Sequence, residues 1–357
     1  MHSLNIDMLQ EVLLLSKRLL LAHKVVSSEK GDIMKVMLTG STGFIGGHIM
    51  KALIEAGHEV QALVRDKAKL QSMKAIQGIG NGVVGVLGDI TDQSTVEEAL
   101  VDCDACVHAA AFTSLDPNLM DHALEVNGPG AEIVLGAATS QGCDSVIHVS
   151  TMSVIFPPTG SKLSGDDPVH GGGNPYNASK AIAEEYARSL QDKGHPISII
   201  YPTGVTGPTD LGLNVLAANL VPTLQSEIMM SLSSGGWCLV DVRDLASGIV
   251  GLLHAETGPK RYVAGGTFMD WQEFHAVVTE VTGRDRALIP TPKEALEQIV
   301  DAEAVEIMFG IVPGDDEPFL TASGLSAWRP IEDTLKDTIT WLCDKQYLEA
   351  EWAPHCS

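Results

Sequence analysis

Tyr176 and Lys180 stand four residues apart in Tyr176-Asn177-Ala178-Ser179-Lys180, at the start of a helical pattern. That spacing puts both side chains on one helix face. A free tyrosine, with a pKa of about 10, is a poor proton donor and acceptor at neutral pH. An adjacent ammonium stabilises phenolate and is expected to lower that value toward the range of efficient acid–base catalysis. Taken alone, the spacing is short enough to arise by chance on any exposed helix. Val149-Ser150-Thr151, at the end of an apolar strand-like run, adds a hydroxyl 25 residues before Tyr176. Together, Thr151, Tyr176 and Lys180 have the chemistry to hold a substrate oxygen, move a proton to or from it, and bias that transfer electrostatically.

A second group of residues suggests a different chemistry. Thr39-Gly40-Ser41-Thr42-Gly43-Phe44-Ile45-Gly46 follows the strand-like Val36-Met37-Leu38 and opens the helix-like His48-Ile49-Met50-Lys51-Ala52-Leu53-Ile54. Glycines let the backbone turn tightly and approach a ligand closely. The first-turn amides of the following helix then face outward, where a pyrophosphate accepts their hydrogen bonds. The spacing is Gly-x-x-Gly-x-x-Gly rather than G-x-G-x-x-G, so by itself it also fits a glycine-rich turn of another α/β protein. Cys103-Asp104-Ala105-Cys106 has the spacing of redox and zinc sites. It leads into the apolar Val107-His108-Ala109-Ala110-Ala111, and no second pair follows, so burial as small hydrophobes is expected, with no metal site.

The elements that must position these groups alternate in type. Strands are expected at Lys35–Thr39, Glu59–Val64, Val83–Leu87, Ala105–Ala109, Ser145–Val149 and Ile197–Tyr201, with helices near 43–57, 94–102, 120–142 and 175–192. This alternation predicts an α/β fold, a Rossmann-type doubly wound parallel sheet. Ligands of such sheets bind at the carboxyl ends of the strands, where the glycine loop, Arg65, Asp89 and Thr151 all fall. Beyond Pro202 the regularity weakens. Residues 203–240 are rich in Gly, Pro, Asn and Ser, and helical stretches near 241–255, 270–282, 292–300 and 331–345 suit a smaller C-terminal substrate-binding lobe. The expected organisation is an N-terminal helical extension over 1–33 and a nucleotide-binding Rossmann domain over 34–202. The substrate lobe, with elements returning to the sheet, spans 203–348, and a frayed tail spans 349–357.

Composition narrows the class. The chain has 357 residues, 45% of them hydrophobic, and 35 glycines, enough for a substantial α/β core. Its 23 Lys and Arg against 46 Asp and Glu give a formal charge of -23, a field that repels nucleic acid and anionic membrane surfaces. The leucine-rich stretch from Glu11 to Ala22 is too short and too interrupted by charge for a membrane span, which needs about 20 apolar residues. It also lacks the layout of a secretory signal. A docked helix, a surface-lying helix and translated sequence upstream of Met34 all remain open for it, and we read it as peripheral to catalysis. Six scattered cysteines suit a reducing compartment, and a cytoplasmic protein is expected.

In this order and context, the three motifs resemble the extended short-chain dehydrogenase/reductase family, also known as the NAD-dependent epimerase/dehydratase family, from about Lys35 to Leu342. The resemblance implies an enzyme in which Thr151, Tyr176 and Lys180 are catalytic. It implies that Gly40, Ser41, Thr42, Gly43, Phe44, Ile45 and Gly46 hold a nicotinamide dinucleotide. Gly88-Asp89-Ile90-Thr91-Asp92 looks like the family's adenine-contacting turn, with Asp89 accepting from the adenine amino group. Ala109, Ala110 and Ala111 resemble the small residues against which ribose and nicotinamide lie. Asn127 matches a helix asparagine, and Pro202 and Val205 lie in a segment similar to the one that holds the carboxamide. Asp241 matches a common helix start and is a candidate cap. For Asn127 and Asp241 a purely structural role is equally open.

Arg65 follows the second strand, where NAD-preferring enzymes usually carry an acid for the ribose 2′-hydroxyl. Its guanidinium, with Lys69 nearby, suits the 2′-phosphate of NADP, while Asp66 leaves NAD open. Residues 211–242 contain no Lys or Arg to meet a nucleotide-sugar diphosphate. They offer Leu211, Leu213, Leu216, Met229, Met230 and Trp237, some of which could line an apolar pocket. Thr151-Met152-Ser153-Val154-Ile155-Phe156 also lacks the Tyr-Gly common in sugar-modifying members. Both departures tilt toward the dihydroflavonol-reductase-like and 3β-hydroxysteroid-dehydrogenase-like branch, with Thr113, Met152, Met229 and Trp237 as candidate substrate contacts. The expectation is an NADP-dependent oxidoreductase moving hydride between nicotinamide and a ketone or secondary alcohol of a small, largely apolar substrate. A nucleotide-sugar epimerase or dehydratase with tightly bound NAD(P), and a non-catalytic NAD(P)-binding sensor or interaction protein, are the alternatives. Ala178, Ala181, Ile182 and Ala183 permit a homodimer through the Tyr176 helix.

Overall fold

Strands that are apolar along their whole length belong inside a parallel sheet covered on both faces. The computed structural model, which describes residues 33–113, 120–172, 174–254, 260–298, 300 and 302–356, places them there. β1 (Lys35–Thr39), β2 (Glu59–Val64), β3 (Val83–Leu87), β4 (Ala105–His108), β5 (Ser145–Val149) and β6 (Ile197–Pro202) alternate with α1 (Phe44–Glu55), α2 (Lys67–Ile76), α3 (Gln93–Ala99), α4 (Met120–Ser140) and α5 (Pro175–Asp192). The sheet has seven strands, and its last is contributed by the C-terminal half: β10 (Lys260–Ala264) pairs with the outer edge of β6. The order is β10-β6-β5-β4-β1-β2-β3 with every pair parallel, a Rossmann-type doubly wound sheet. β1 and β4 lie side by side at its centre, so the glycine loop leaving β1 meets the residues leaving β4.

α2 lies where hydrophobic periodicity assigns no helix. Only Leu70 and Met73 are buried on it, too few to make a pattern, and its start is fixed instead by Asp66 capping the amides of Ala68 and Lys69. α5 begins with an Asn174 cap and Pro175 in its first turn, which sets the position of Tyr176.

Beyond β6 the chain builds a second layer. β7 (Gly204–Thr206), β9 (Trp237–Asp241) and β11 (Thr267–Met269) form a three-stranded sheet, and β8 (Ile228–Ser231) pairs with β12 (Ala287–Pro290). Around them lie α6 (Val215–Leu224), α8 (Trp271–Thr282), α9 (Lys293–Leu296), α10 (Ala302–Gly310) and α12 (Ile331–Asp344), while α7 (Val242–Gly251) packs on α1 and α11 (Glu317–Ser323) on α7 and β10. The core of this lobe gathers Met229, Leu239, Phe274, Leu335 and Trp341. Asp241 caps α7 by accepting from the Arg243 amide at 2.8 Å, and it also accepts from Thr334.

The expectation of a frayed tail over 349–357 is corrected. Ala353 and Cys356 are buried in the lobe core, Arg284 stacks 4.0 Å over the Trp352 ring, and Arg286 Nη2 donates to Trp352 O at 2.9 Å. Three apolar side chains and two waiting cations dock the segment. Residues 35–357 form one unit distinct from 1–34, and the leucine-rich stretch 11–22 lies outside the described residues. Among the described residues, no helix is long and apolar enough to cross a membrane, and no three metal-binding side chains cluster.

Candidate active site

The glycine loop divides its labour. Gly40 has φ 77°, and a Cβ there would sit 2.7 Å from the Ala109 carbonyl carbon and the Ala110 nitrogen. A Cβ on Gly46 would sit 2.1 Å from Gly40 O. Both glycines are therefore required by the packing of the loop against itself and against the end of β4. Gly43 is different. Its φ of -98° suits any residue, and a Cβ would meet only Gly40 O, at 3.4 Å. Yet Gly43 lines both cavities at this end of the sheet, so the space it leaves open faces a ligand. Ser41 Oγ beside it is buried with no hydrogen-bond partner among the described residues. Free amides at the start of α1, an orphan hydroxyl and room for close approach fit the pyrophosphate of a dinucleotide.

The first cavity, about 240 Å³, runs from Gly40, Thr42 and Gly43 past Ala109, Ala110 and Ala111 to Arg65, Lys69, Asp89 and Ile90. Arg65 is exposed and sits 4.0 Å from the Asp89 carboxylate. Asp66, the acid that could have met a ribose hydroxyl, is occupied as the α2 cap, its Oδ1 accepting from Ala68 N at 2.7 Å and Lys69 N at 3.1 Å. Asp89 Oδ1 accepts from the Thr91 amide and hydroxyl. Asn127 is a buried pin: its Oδ1 accepts from Phe112 N at 2.6 Å, and its Nδ2 donates to Phe112 O and Ser179 Oγ.

The second cavity, about 410 Å³, shares Gly40, Gly43, Ala109, Ala111 and Thr113 with the first and continues to Ser150, Tyr176 and Lys180. The three expected catalytic residues come together. The Thr151 hydroxyl is near enough to Tyr176 to favour its phenolate. Thr151 Oγ1 lies 3.1 Å from Ser153 Oγ, which donates to Asn177 Oδ1 at 2.8 Å, so the threonine is braced from behind. Lys180 is buried and its Nζ donates to Val149 O at 3.0 Å. The electrostatics differ from the expectation. Burial pushes Tyr176 up to about 12, against the pull of the Thr151 hydroxyl, and Lys180 exerts no lowering influence. Lys180 itself is brought down to about 8 by burial, with Glu184 opposing. Desolvation sets both directions, and the ammonium is turned to the Val149 carbonyl rather than to the phenol.

The sequence model of the NAD dependent epimerase/dehydratase family matches residues 36–265, more than half of the chain. The chain belongs to that family. Similar proteins include sterol demethylase protein B of Methylococcus capsulatus, 24% identical over 74% of this chain and 80% of that one. A putative dihydroflavonol 4-reductase of Synechocystis is 26% identical over 72% and 74%. A 4-hydroxy-2-methyl-3-oxo-4-farnesyl-3,4-dihydroquinoline-1-oxide ketoreductase of Stigmatella aurantiaca is 28% identical over 70% and 74%. Among solved structures, UDP-glucose-4-epimerase of Stenotrophomonas maltophila with bound NAD has a TM-score of 0.72 at 19% identity, covering 88% of this chain and 99% of that one. The fold is that of the extended short-chain dehydrogenases/reductases, and the chain is an NAD(P)-dependent enzyme of that type.

In this member of the family the substrate end of the site is only partly where the sequence located it. Thr113, Val205 and Leu216 line the second cavity. Met152 is buried in the core of the Rossmann half, Met229 in the lobe core, and Trp237 is stacked on Phe274 at 5.1 Å; none of the three is on the wall of the second cavity. Pro202 is buried in β6. Phe44, Asn214, Val215 and Asn219 line the cavity instead. The signal for the last three was faint: α6 reads as an apolar run in which the cap Asn214 and the single Asn219 carry no mark of a ligand. Glu184, four residues after Lys180, was also overlooked, although the same spacing rule that pairs Tyr176 with Lys180 marks it.

Proposed function

We propose that the protein is an NADP-dependent reductase of a ketone on a small, largely apolar substrate, the reverse oxidation of a secondary alcohol using the same groups. The observation that carries the reading is the wall of the second cavity: among the described residues lining it, Lys180 is the one charged side chain. Such a wall supplies no cation for a nucleotide-sugar diphosphate and no carboxylate for elimination, while Val205, Val215 and Leu216 suit an apolar body.

NADPH, when bound, supplies the hydride from its nicotinamide ring. Gly43, Ser41 and the α1 amides would hold its pyrophosphate, and Lys180 its ribose. Arg65 and Lys69 would meet the 2′-phosphate, with Asp66 removed from the competition by its capping role. Tyr176, pushed up to about 12, is protonated at neutral pH and is therefore a proton donor for a developing alkoxide. That state favours reduction. Thr151, close to Tyr176 and braced by Ser153, keeps the phenol aimed.

An epimerase or dehydratase is the second reading, supported by the family itself and by the intact Tyr176 and Lys180. A thermal-shift panel of NADP, NAD, UDP-sugars and dTDP-sugars, followed by NADPH oxidation over a ketone panel, separates the two. Stabilisation by NADP with ketone turnover is expected. Stabilisation by a nucleotide sugar with no ketone turnover would overturn the proposal.

A further inference from the structure

Glu184 and Arg188 extend the four-residue spacing of Tyr176 and Lys180, making a polar stripe along one face of α5. The Glu184 side chain is 0% exposed. It accepts from Ser150 Oγ at 2.9 Å, from the Tyr201 hydroxyl at 2.5 Å and from Arg188 Nε at 2.8 Å. Arg188 Nη2 in turn donates to Tyr201 OH at 3.0 Å and to Asp167 O at 3.2 Å. A buried ion pair is a weak stabiliser, because desolvating two charges offsets their attraction and well-packed apolar residues often do as well. This one is also placed against the catalytic cavity. Ser150, which Glu184 grips, lines that cavity and directly precedes Thr151. The residue before it, Val149, is gripped through its carbonyl by Lys180.

We propose that Glu184 is a positioning residue for the reaction: it clamps the carboxyl end of β5 to α5 through Ser150, and it supplies the negative charge that faces Lys180. This rests on the dinucleotide-dependent reading above. The other groups facing Lys180 are His108 from β4 and His148 from β5, both kept neutral by burial, and Tyr176 one turn before it. Glu184 is therefore the carboxylate that favours the ammonium. Its remaining contacts are the Arg188 cation and the Tyr201 and Ser150 hydroxyls, all of which donate to it.

The test is NADPH affinity, read by nucleotide fluorescence from neutral to alkaline pH. In the wild type, affinity is expected to fall as Lys180 loses its proton. If NADPH does not bind the wild type at all, the dinucleotide reading is at fault rather than Glu184. In Glu184→Gln the fall should begin about one pH unit lower, a tenfold change in ammonium fraction at a given pH. In Arg188→Met, Glu184 loses the cation that competes with Lys180 for it, so the fall should move to higher pH. A merely structural pair would weaken binding in both variants without moving the two profiles in opposite directions. Superimposable profiles in both variants would overturn the proposal. So would failure of both to fold, judged by circular dichroism, because the cluster would then serve the fold alone.

Discussion

The two walls of the catalytic cleft are made of different materials. The wall from the Rossmann half presents hydroxyls, backbone amides and one charge: Ser150 (with Thr151 next to it in the chain), Tyr176, Lys180 and the glycine loop. The wall from the C-terminal half presents an apolar face of Val205, Val215 and Leu216, edged by the uncharged Thr203, Asn214 and Asn219. Polar groups in a buried site are tolerated only in a specified geometry, so they leave a readable pattern. Apolar groups obey one rule whether they face a core or a ligand. On the proposed reading the first wall carries the chemistry, and the second, which would select the substrate, is nearly silent in sequence.

Breaking the first wall should have the largest effect. Tyr176→Phe is expected to lower turnover about 10²–10⁴-fold, the usual worth of a positioned general acid, with NADPH affinity almost unchanged. A variant with near-normal ketone reduction would remove Tyr176 from the mechanism. Next in size is Arg65→Glu. Arg65 is exposed, so the fold should be indifferent. Loss of a charge-assisted bond to the 2′-phosphate, worth about 1.5–3 kcal/mol, should weaken NADPH by roughly ten- to a hundredfold and leave NADH unaffected. Equal losses for both nucleotides would argue against NADP.

This contrast also explains how far the sequence could be read. Six of the seven sheet strands and the Tyr176 helix were legible because their apolar runs and the four-residue spacing of Tyr176 and Lys180 are local signals. β10 was not, since a strand that crosses back after some sixty residues carries no local mark of its partner β6. Within the site, Thr151, Tyr176 and Lys180 were found by spacing and then brought together by the fold. Met229 and Trp237 illustrate the opposite case. They are as hydrophobic as Val215 and Leu216, and only the fold shows that they face Phe274 and the lobe core rather than the cavity. The tail was misjudged for a similar reason, because the cations that dock Trp352 lie far from it in the chain, at Arg284 and Arg286.

The comparison sharpens further when the glycine loop and the apolar wall are each perturbed. Gly46→Ala must displace backbone at Gly40, and an overpacking cost of about 1–3 kcal/mol should appear as a lower melting temperature. Gly43→Ala, free of such a clash, should keep the melting temperature and weaken dinucleotide binding about tenfold. If the two variants behaved alike, Gly43 would be part of the loop's packing rather than a cradle. On the other wall, Val215 is 42% exposed and lines the cavity. Val215→Asp should raise KM for an apolar ketone by about tenfold and spare NADPH affinity, since it alters only the face turned to substrate.

The smallest effect is expected beneath the polar wall. His108 and His148 occupy paired positions on β4 and β5, with rings stacked 5.5 Å apart. Burial, reinforced by Lys180, holds His108 at about 3 and His148 well below its ordinary 6.5. Neither ring nitrogen of His148 has a hydrogen-bond partner among the described residues. Both histidines are neutral in the folded protein where the unfolded chain, with a value of 6.5, takes up protons. Their contribution is therefore fully present above pH 6.5 and is lost as pH falls from there toward the folded values. Each histidine should steepen the fall by up to about 1.4 kcal/mol per pH unit in that window. His148→Leu removes one of the two protons and no hydrogen bond. It should flatten the dependence of the urea midpoint on pH just below 6.5 while leaving neutral stability nearly unchanged. An unaltered slope would mean that the His148 ring takes up its proton in the native state, and that the floor under Lys180 is charged rather than neutral.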